Sequence, residues 1–174
     1  MLVGAIIVTT LAVAPAEVLT APQLLALADK CLAANPTHAG IDRYFLAAMA
    51  LKESGGNVKA RGDEDKQHKN WFHAHGLMQF HKSAWSDVYE HLARMPSRDN
   101  AEASMVAAIR YANIGLAAHA KRNAADWRQY ADCYARLLAA THHNQGHTLE
   151  VETKYSRDVE AIRLWLVKEY GPKE

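Results

Sequence analysis

A carboxylic acid stands at the point where an apolar helix is predicted to end. Glu53 is followed by Ser54 and by two glycines, Gly55 and Gly56, which are typical of the turn that terminates a helix. In the last turn of a helix, the negative end of the macrodipole and nearby apolar side chains both disfavour an ionised carboxylate. Glu53 is therefore a candidate general acid, and the alternative is a surface residue beside a helix cap. Ser54 either caps this turn or binds a ligand.

The elements that must position Glu53 are helical. The segment from Ile41 to Lys52 repeats apolar residues at the spacing of one helix face, with alanine and leucine on the flanks. No alternating pattern of convincing strand length occurs, so the chain is predicted to be all-α. Further helices are predicted to begin at Pro22, at the capping residues Ser83, Asn100 and Asp126, and near Thr148.

Four short segments carry a family resemblance when they are taken in chain order. They are Glu53-Ser54, Gly76-Leu77-Met78-Gln79, Asn144-Gln145-Gly146 and Glu152-Thr153-Lys154-Tyr155. Each segment is a weak signal alone, but their order and spacing resemble the signature of the soluble lytic transglycosylase family, whose fold is similar to that of goose-type lysozyme. The resemblance covers roughly residues 40 to 168. It implies a lysozyme-like single domain, here with an extra N-terminal helix.

The resemblance implies a peptidoglycan lytic transglycosylase. Such an enzyme cleaves the β-1,4 bond between N-acetylmuramic acid and N-acetylglucosamine and forms 1,6-anhydromuropeptides, with Glu53 as general acid and then general base. An acid is required because a proton must reach the leaving oxygen while positive charge builds on the sugar ring. One alternative is a lysozyme-type muramidase, in which Asp63, Glu64 or Asp65 activates water. Another is a non-catalytic, lysozyme-like component of a secretion or phage assembly.

The same resemblance assigns side chains to a glycan cleft. It implies that the amides of Gln79 and Asn144 face the cleft, where an amide can both donate to and accept from hydroxyl and N-acetyl groups. Gly76 is expected to let the backbone approach a sugar ring, and Met78 is expected to line the cleft while packing in the core. Trp71, Phe72 and Phe80 are alternatives for stacking on sugar rings or for core packing.

The chain departs from the family pattern at one position of the cleft. The family usually has Ala-Tyr-Asn before the late glycine, whereas this chain has His142-His143-Asn144, so His143 replaces a tyrosine. An imidazole can donate a hydrogen bond in its place, but we expect it to titrate near neutral pH and to lower activity on acidification. Tyr155 matches a family tyrosine whose hydroxyl is implied to hydrogen-bond near the acid, and a core tyrosine is the alternative.

Three segments describe the predicted domain organisation. Residues 1–16 are apolar and indicate a secretory signal peptide, although no lysine or arginine precedes the apolar run and an N-terminal element of the mature chain is the alternative. Residues 17–39 are predicted to form an N-terminal helix and linker, and residues 40–170 the catalytic domain. The expected location is the periplasm, the extracellular space or a virion.

Composition limits the partners of the chain. A net charge of +1 with scattered lysines and arginines excludes an extended nucleic-acid surface, and 49% hydrophobic residues indicate one globular domain. Peptidoglycan glycan strands are the expected partner, a secretion-system or virion assembly is a further one, and a monomer is expected. No cofactor is implied, and no metal-ligand motif such as His-Glu-x-x-His occurs. Cys31 and Cys133 either pair after export or remain free thiols.

Overall fold

The described part of the chain contains six α-helices. The computed structural model describes residues 18–62, 73–145 and 153–173. Within these ranges there is no strand, only isolated bridges, which confirms the all-α prediction. The helices are α1 (Ala21–Ala34), α2 (Arg43–Ser54), α3 (Lys82–Tyr89), α4 (Ala101–Arg122), α5 (Asp132–Gln145) and α6 (Lys154–Tyr170), with a 3-10 turn (Trp127–Gln129) before α5.

Helix α2 is the buried element of the fold and packs mainly against α1 and α6. Six consecutive residues of α2, from Phe45 to Ala50, are buried, as expected for a helix that is apolar on every side. Asp42 begins the helix by accepting a hydrogen bond from the backbone N–H of Phe45 at 2.7 Å. Gly55 ends it in a left-handed conformation with φ of +62°. The predicted position of Glu53 in the last turn of a buried helix is confirmed.

Ion pairs fix α6 against α2. Arg163 donates to the carboxylate of Asp42 at 2.7 Å near the start of α2, and Lys52 pairs with Asp158 at 2.7 Å near its end. Later residues of α6 therefore contact the start of α2, and the two helices run antiparallel. This arrangement brings the first turn of α6 to the last turn of α2.

The prediction that Ser83 caps a helix is wrong. Helix α3 begins at Lys82, with His81 at the cap in an extended conformation and without a side-chain capping bond. Ser83 lies inside the first turn instead. The capping prediction for Asn100 is confirmed, because its side chain accepts from the backbone N–H of Ala103 at 2.8 Å.

One other predicted helix start differs from the structure, and one lies outside the described residues. Asp126 caps only the short 3-10 turn, because the backbone at Tyr130 becomes extended and α5 starts afterwards at Asp132. The last helix begins at Lys154, where Thr153 and Ser156 form a reciprocal capping box. The start predicted near Thr148 lies outside the described residues.

The two cysteines are separate thiols in the structure. Cys31 is buried in α1, and Cys133 is exposed on α5, so the predicted alternative of a disulfide is not realised. Burial raises the pKa of the Cys31 thiol to about 11. None of the described helices has the length and apolar character that a membrane span requires.

Candidate active site

Glu53 and Tyr155 meet where α2 ends and α6 begins. The Tyr155 hydroxyl donates a hydrogen bond to Oε1 of Glu53, whose side chain is 16% exposed. Burial, followed by the adjacent Glu53 carboxylate, raises the pKa of Tyr155 far above its ordinary value. The phenol therefore keeps its hydrogen and acts as the donor. The contact that the resemblance implied for Tyr155 is present in the structure.

His143 approaches the same carboxyl group from α5. Its Nε2 lies 2.9 Å from the carbonyl oxygen of Met78 and 3.6 Å from Oε1 of Glu53. Burial lowers the pKa of His143 and outweighs the opposite effects of Glu53 and the Met78 carbonyl. The ring is thus neutral near pH 7, with Nε2–H donating to Met78. The expectation that His143 titrates near neutral pH is wrong because the side chain is only 6% exposed.

A tight turn over residues 76–79 positions Gln79. Gly76 has φ of +81°, and a Cβ atom on it would lie 1.9 Å from the carbonyl oxygen of Arg98. The backbone N–H of Gln79 closes the turn on the Gly76 carbonyl at 3.2 Å, and Gln79 itself has φ of +48°. On either side, His75 and Phe80 exchange two backbone hydrogen bonds of 3.2 Å. Gly76 therefore serves the turn and its packing against residue 98.

The Gln79 side chain is held in one orientation. Its Nε2 donates to the carbonyl oxygens of Gly76 at 2.8 Å and Ala60 at 3.2 Å, which assigns the amide nitrogen. A Cβ atom on Gly62 would lie 2.4 Å from Gln79 Oε1, so the absence of a side chain at Gly62 leaves room for this oxygen. With the amide nitrogen engaged by the protein, Gln79 offers Oε1 as an acceptor.

These side chains share one cavity of about 260 Å³ at the C-terminal ends of α2 and α5. Glu53, Gln79, His143 and Asn144 all line it, and Asn144 is exposed at its rim. Amide and imidazole groups thus surround one carboxyl group, an arrangement that can bind a polar ligand and transfer a proton to it. Three further lining residues were not predicted from the sequence: Gly62, Ala74 and His81. Of these, only His81 has a side chain whose chemistry could have indicated a site.

A family model matches most of the chain that carries this site. The model of the Transglycosylase SLT domain family matches residues 30–155, which is more than half of the chain and extends from α1 to Tyr155. The chain belongs to the soluble lytic transglycosylase family. Its fold is lysozyme-like, and its activity is of the lytic transglycosylase type on peptidoglycan, which makes it a glycosidic-bond lyase. No curated protein and no solved structure matches the chain.

Four residues predicted to bind the transglycosylase substrate lie outside the cavity lining, and one of them, Tyr155, contacts Glu53 instead. Ser54 donates its hydroxyl to the Ala50 carbonyl at 3.1 Å, so its side chain is engaged within its own helix. Met78 is fully buried, and its backbone N–H donates to Ser104 Oγ at 3.1 Å. Its carbonyl oxygen accepts from His143, so Met78 affects the site through its backbone. Gly76 forms the turn described above.

Several predictions for the transglycosylase concern residues that the structure places in the core or does not describe. Phe80 is 2% exposed and packs edge-on against His143, with ring centroids 4.9 Å apart, so it is a core residue. In the described ranges, no group of three or more metal-ligating side chains occurs. The predicted signal peptide, the acidic loop and two aromatic candidates lie outside the described residues: 1–16, Asp63, Glu64, Asp65, Trp71 and Phe72.

Proposed function

We propose that this transglycosylase cleaves the β-1,4 bond between N-acetylmuramic acid and N-acetylglucosamine and leaves 1,6-anhydromuropeptides, with Glu53 as acid and base. The observation that carries the proposal is the position of the Glu53 carboxyl group. It lines one cavity together with Gln79 and Asn144, and Tyr155 donates a hydrogen bond to it. Proton transfer to a glycosidic oxygen needs such a carboxyl group against the scissile bond.

In the first step, Glu53 gives its proton to the glycosidic oxygen. The bond between this oxygen and C1 of the muramoyl ring breaks, and the carbonyl oxygen of the ring's own N-acetyl group bonds to C1. Tyr155 and His143 both lie against Oε1 of Glu53. We therefore assign the mobile proton to Oε2, the oxygen that does not accept the hydrogen bond of Tyr155.

In the second step, the same carboxylate acts as the base. Glu53 takes the proton of the muramoyl 6-hydroxyl group, the hydroxyl oxygen bonds to C1, and the N-acetyl oxygen leaves. The products are an anhydro ring and a free hydroxyl on the other sugar, and Glu53 is protonated again. No water is consumed. Glu53 is the one carboxylate among the described residues that line the cavity, which favours a mechanism that needs a single acidic residue.

The two amides have different roles in this proposal. Gln79 accepts through Oε1 from a hydroxyl or an N-acetyl N–H, because its Nε2 already donates to two backbone carbonyls. Asn144 is exposed at the rim and has both its donor and its acceptor available to a sugar that extends along the cleft. Since peptidoglycan surrounds cells, we propose that the protein works in the periplasm, outside the cell or on a virion that enters the wall.

The test combines one substitution with product analysis. Glu53→Gln keeps the shape of the side chain and its contact with Tyr155, and should abolish lysis of purified peptidoglycan while leaving the thermal midpoint nearly unchanged. The matched control is Glu169→Gln, at an exposed position near the end of α6, which should retain lysis. Lysis by Glu53→Gln at the rate of the unmodified protein would refute the assigned role of Glu53.

Mass spectrometry of the released muropeptides tests the reaction type. Anhydro products are lighter by one water than the reducing-end products of a hydrolase. A population of anhydro ends supports the proposal. Reducing ends alone would instead show a muramidase and would direct attention to the acidic residues between 62 and 73.

A further inference from the structure

A second cavity, of about 500 Å³, lies between the loop that joins α1 to α2, the middle of α4 and the 3-10 turn before α5. It is larger than the cavity around Glu53, and the proposed reaction does not use it. Aromatic, amide and charged side chains all contribute to it. Its lining includes Thr37, His38, Asn113, Trp127, Tyr130 and Asp132.

Helix α5 separates the two cavities. Asp132 is the first residue of α5 and lines the second cavity, whereas Asn144, near the end of α5, lines the cavity of Glu53. Twelve residues at 1.5 Å per residue place these positions about 18 Å apart along the helix axis. The second cavity is therefore a separate site, held at a constant distance by a continuous helix.

His38 joins the two walls of this cavity. The side chain is 4% exposed, Nδ1 accepts from the backbone N–H of Gly40 at 2.9 Å, and Nε2–H donates to the carbonyl oxygen of Tyr130 at 2.9 Å. A Cβ atom on Gly40 would lie 2.6 Å from the carbonyl oxygen of Asp132, so the loop and α5 are in direct backbone contact there. The relative position of the walls is therefore fixed before a ligand binds.

Asn113 fixes the other end of the loop. Its Nδ2 donates to the carbonyl oxygen of Pro36 at 3.0 Å, and its Oδ1 accepts from the hydroxyl of Thr37 at 2.7 Å. The amide thus binds the loop to α4 through both of its polar atoms. A preformed cavity loses little conformational entropy when a ligand enters, which favours binding of a small rigid group.

The charges around the cavity favour neither anions nor cations. Arg128 and Asp132 are both exposed, with side chains 72% and 62% accessible, and they carry opposite charges. An ion of either sign would meet one attractive and one repulsive charge, and Arg128 also pairs with Asp126 at 3.4 Å. The guanidinium of Arg128 lies over the Trp127 ring, 5.0 Å from its centroid, so these two side chains form one aromatic and cationic side of the cavity.

The aromatic side chains of the lining favour a ligand with an apolar face. Trp127 is partly buried against Leu116, Ala135 and Leu138, so the indole is held by the core while part of it faces the cavity. Tyr130 lines the cavity from the same turn. A neutral ring with one face of C–H groups and a rim of hydroxyl and amide groups matches this lining. Its face can pack on an aromatic side chain, and its rim can hydrogen-bond to the charged and amide side chains.

We propose that this cavity is a second saccharide-binding site that holds a glycan segment of peptidoglycan away from the bond being cleaved. The proposal rests on peptidoglycan as the substrate of the family and is independent of the role assigned to Glu53. A site on the far end of α5 binds a different part of the polymer, or a neighbouring strand. Attachment there raises the effective concentration of glycan at the first cavity.

The test measures binding and turnover separately. Trp127→Ala and Asp132→Asn are compared with Trp165→Ala, which removes a tryptophan that is 47% exposed on α6. Binding is measured by co-sedimentation with insoluble peptidoglycan and by titration with a soluble β-1,4-linked N-acetylglucosamine oligomer, both in the Glu53→Gln background. We expect Trp127→Ala to weaken retention about tenfold, as is typical of a central aromatic contact, and Trp165→Ala to leave it unchanged.

Turnover distinguishes a binding role from a structural one. In the protein with Glu53 intact, Trp127→Ala should reduce the lysis of insoluble peptidoglycan by a larger factor than the cleavage of short soluble fragments. A structural defect would reduce both equally and lower the thermal midpoint. Asp132→Asn replaces a carboxylate that accepts hydrogen bonds from sugar hydroxyl groups with a weaker amide acceptor, and should also weaken retention.

Unchanged retention of both Trp127→Ala and Asp132→Asn would overturn the proposal. If Trp127→Ala does not fold, Asp132→Asn alone decides, and wild-type retention by that variant would equally overturn it. A failure of the catalytic proposal has a different signature, because Glu53→Gln would then still lyse peptidoglycan while the binding comparison remained intact.

Discussion

Tyr155 donates its hydroxyl hydrogen to Glu53 across 102 positions of sequence. The contact depends on the antiparallel packing of α2 and α6, since Asp42 at the start of α2 pairs with Arg163 in the middle of α6, 121 positions away. The donor and the candidate acid are therefore each held by a separate helix, and the orientation of the carboxyl group is determined by the packing of the domain. A reaction that moves one proton in two directions needs such a fixed carboxyl group.

Tyr155→Phe removes this donor and keeps the ring. We expect kcat on soluble glycan fragments to fall about 10- to 100-fold, because a hydrogen bond to an ionisable group contributes roughly 1.5 to 3 kcal/mol and each 1.36 kcal/mol corresponds to a factor of ten in rate. KM should change much less, since the phenol contacts the acid. Steady-state kinetics with a defined fragment measures both constants.

Tyr170→Phe is the control for the loss of a phenol hydroxyl. Tyr170 is 40% exposed at the end of α6, far along the helix from Tyr155, and its substitution should leave kcat unchanged. A Tyr155→Phe variant with the kcat of the unmodified protein would show that the hydrogen bond to Glu53 does not contribute to the reaction.

The turn that holds Gln79 gives a stability prediction. Gly76 and Gly55 both have positive φ, +81° and +62°, but only Gly76 lacks room for a side chain. Gly55→Ala should cost about 1 to 2 kcal/mol of unfolding free energy, from backbone strain alone. Gly76→Ala should cost about 3 kcal/mol or more, because the added methyl group also overlaps the carbonyl oxygen of Arg98.

Urea denaturation of the two alanine variants measures this difference. Each variant is the control for the other, since both add one methyl group at a left-handed glycine. Equal losses of unfolding free energy would mean that the contact between Gly76 and Arg98 is not tight in solution. Gly76→Ala should also reduce activity, because the strained turn positions the side chain of Gln79.

The sequence was sufficient where the signal is local or is carried by a family pattern. Apolar periodicity and the double glycine located the end of α2 and therefore Glu53. The four family segments placed Gln79, Asn144 and Tyr155 around it. Such patterns describe the backbone and the order of the elements, which is why all-α architecture and the main site residues could be predicted.

The sequence was insufficient where the answer depends on packing between distant segments. Ser83 has the right residue type for a helix cap, but the turn before α3 makes His81 the capping position. Gly76 was expected to make room for a sugar ring, whereas it makes room for the backbone of Arg98. Such a close approach of two backbone segments has no sequence signature. For Met78, periodicity and composition do not show that its carbonyl accepts a hydrogen bond from His143.

The protonation of His143 leads to a prediction about stability and pH. Burial lowers the pKa of His143 in the folded protein, whereas in the unfolded chain the ring protonates near its ordinary value of about 6.5. Below that pH the unfolded state binds more protons than the folded state, so the unfolding free energy falls as the solution becomes more acidic. Above about pH 6.5 the full stability is present.

Substitution of the ring isolates this effect from those of other histidines. Burial also lowers the pKa of His75 and His119, which adds to the same dependence of unfolding free energy on pH. The charged or titratable groups that act on His143 are Glu53 from α2 and His81 ahead of α3. His143→Phe should therefore make the fall in unfolding free energy between about pH 7 and about pH 5 shallower but should not remove it.

Urea denaturation across this pH range measures the slope, with His91→Gln at an exposed position as the matched control. If His143→Phe and the unmodified protein lose stability in parallel on acidification, the ring of His143 must accept a proton in the folded state. The neutral Nε2–H donor to the Met78 carbonyl would then be the wrong description of the site. A shallower slope for His143→Phe alone would mean that this buried imidazole stays neutral while it lies 3.6 Å from the candidate acid.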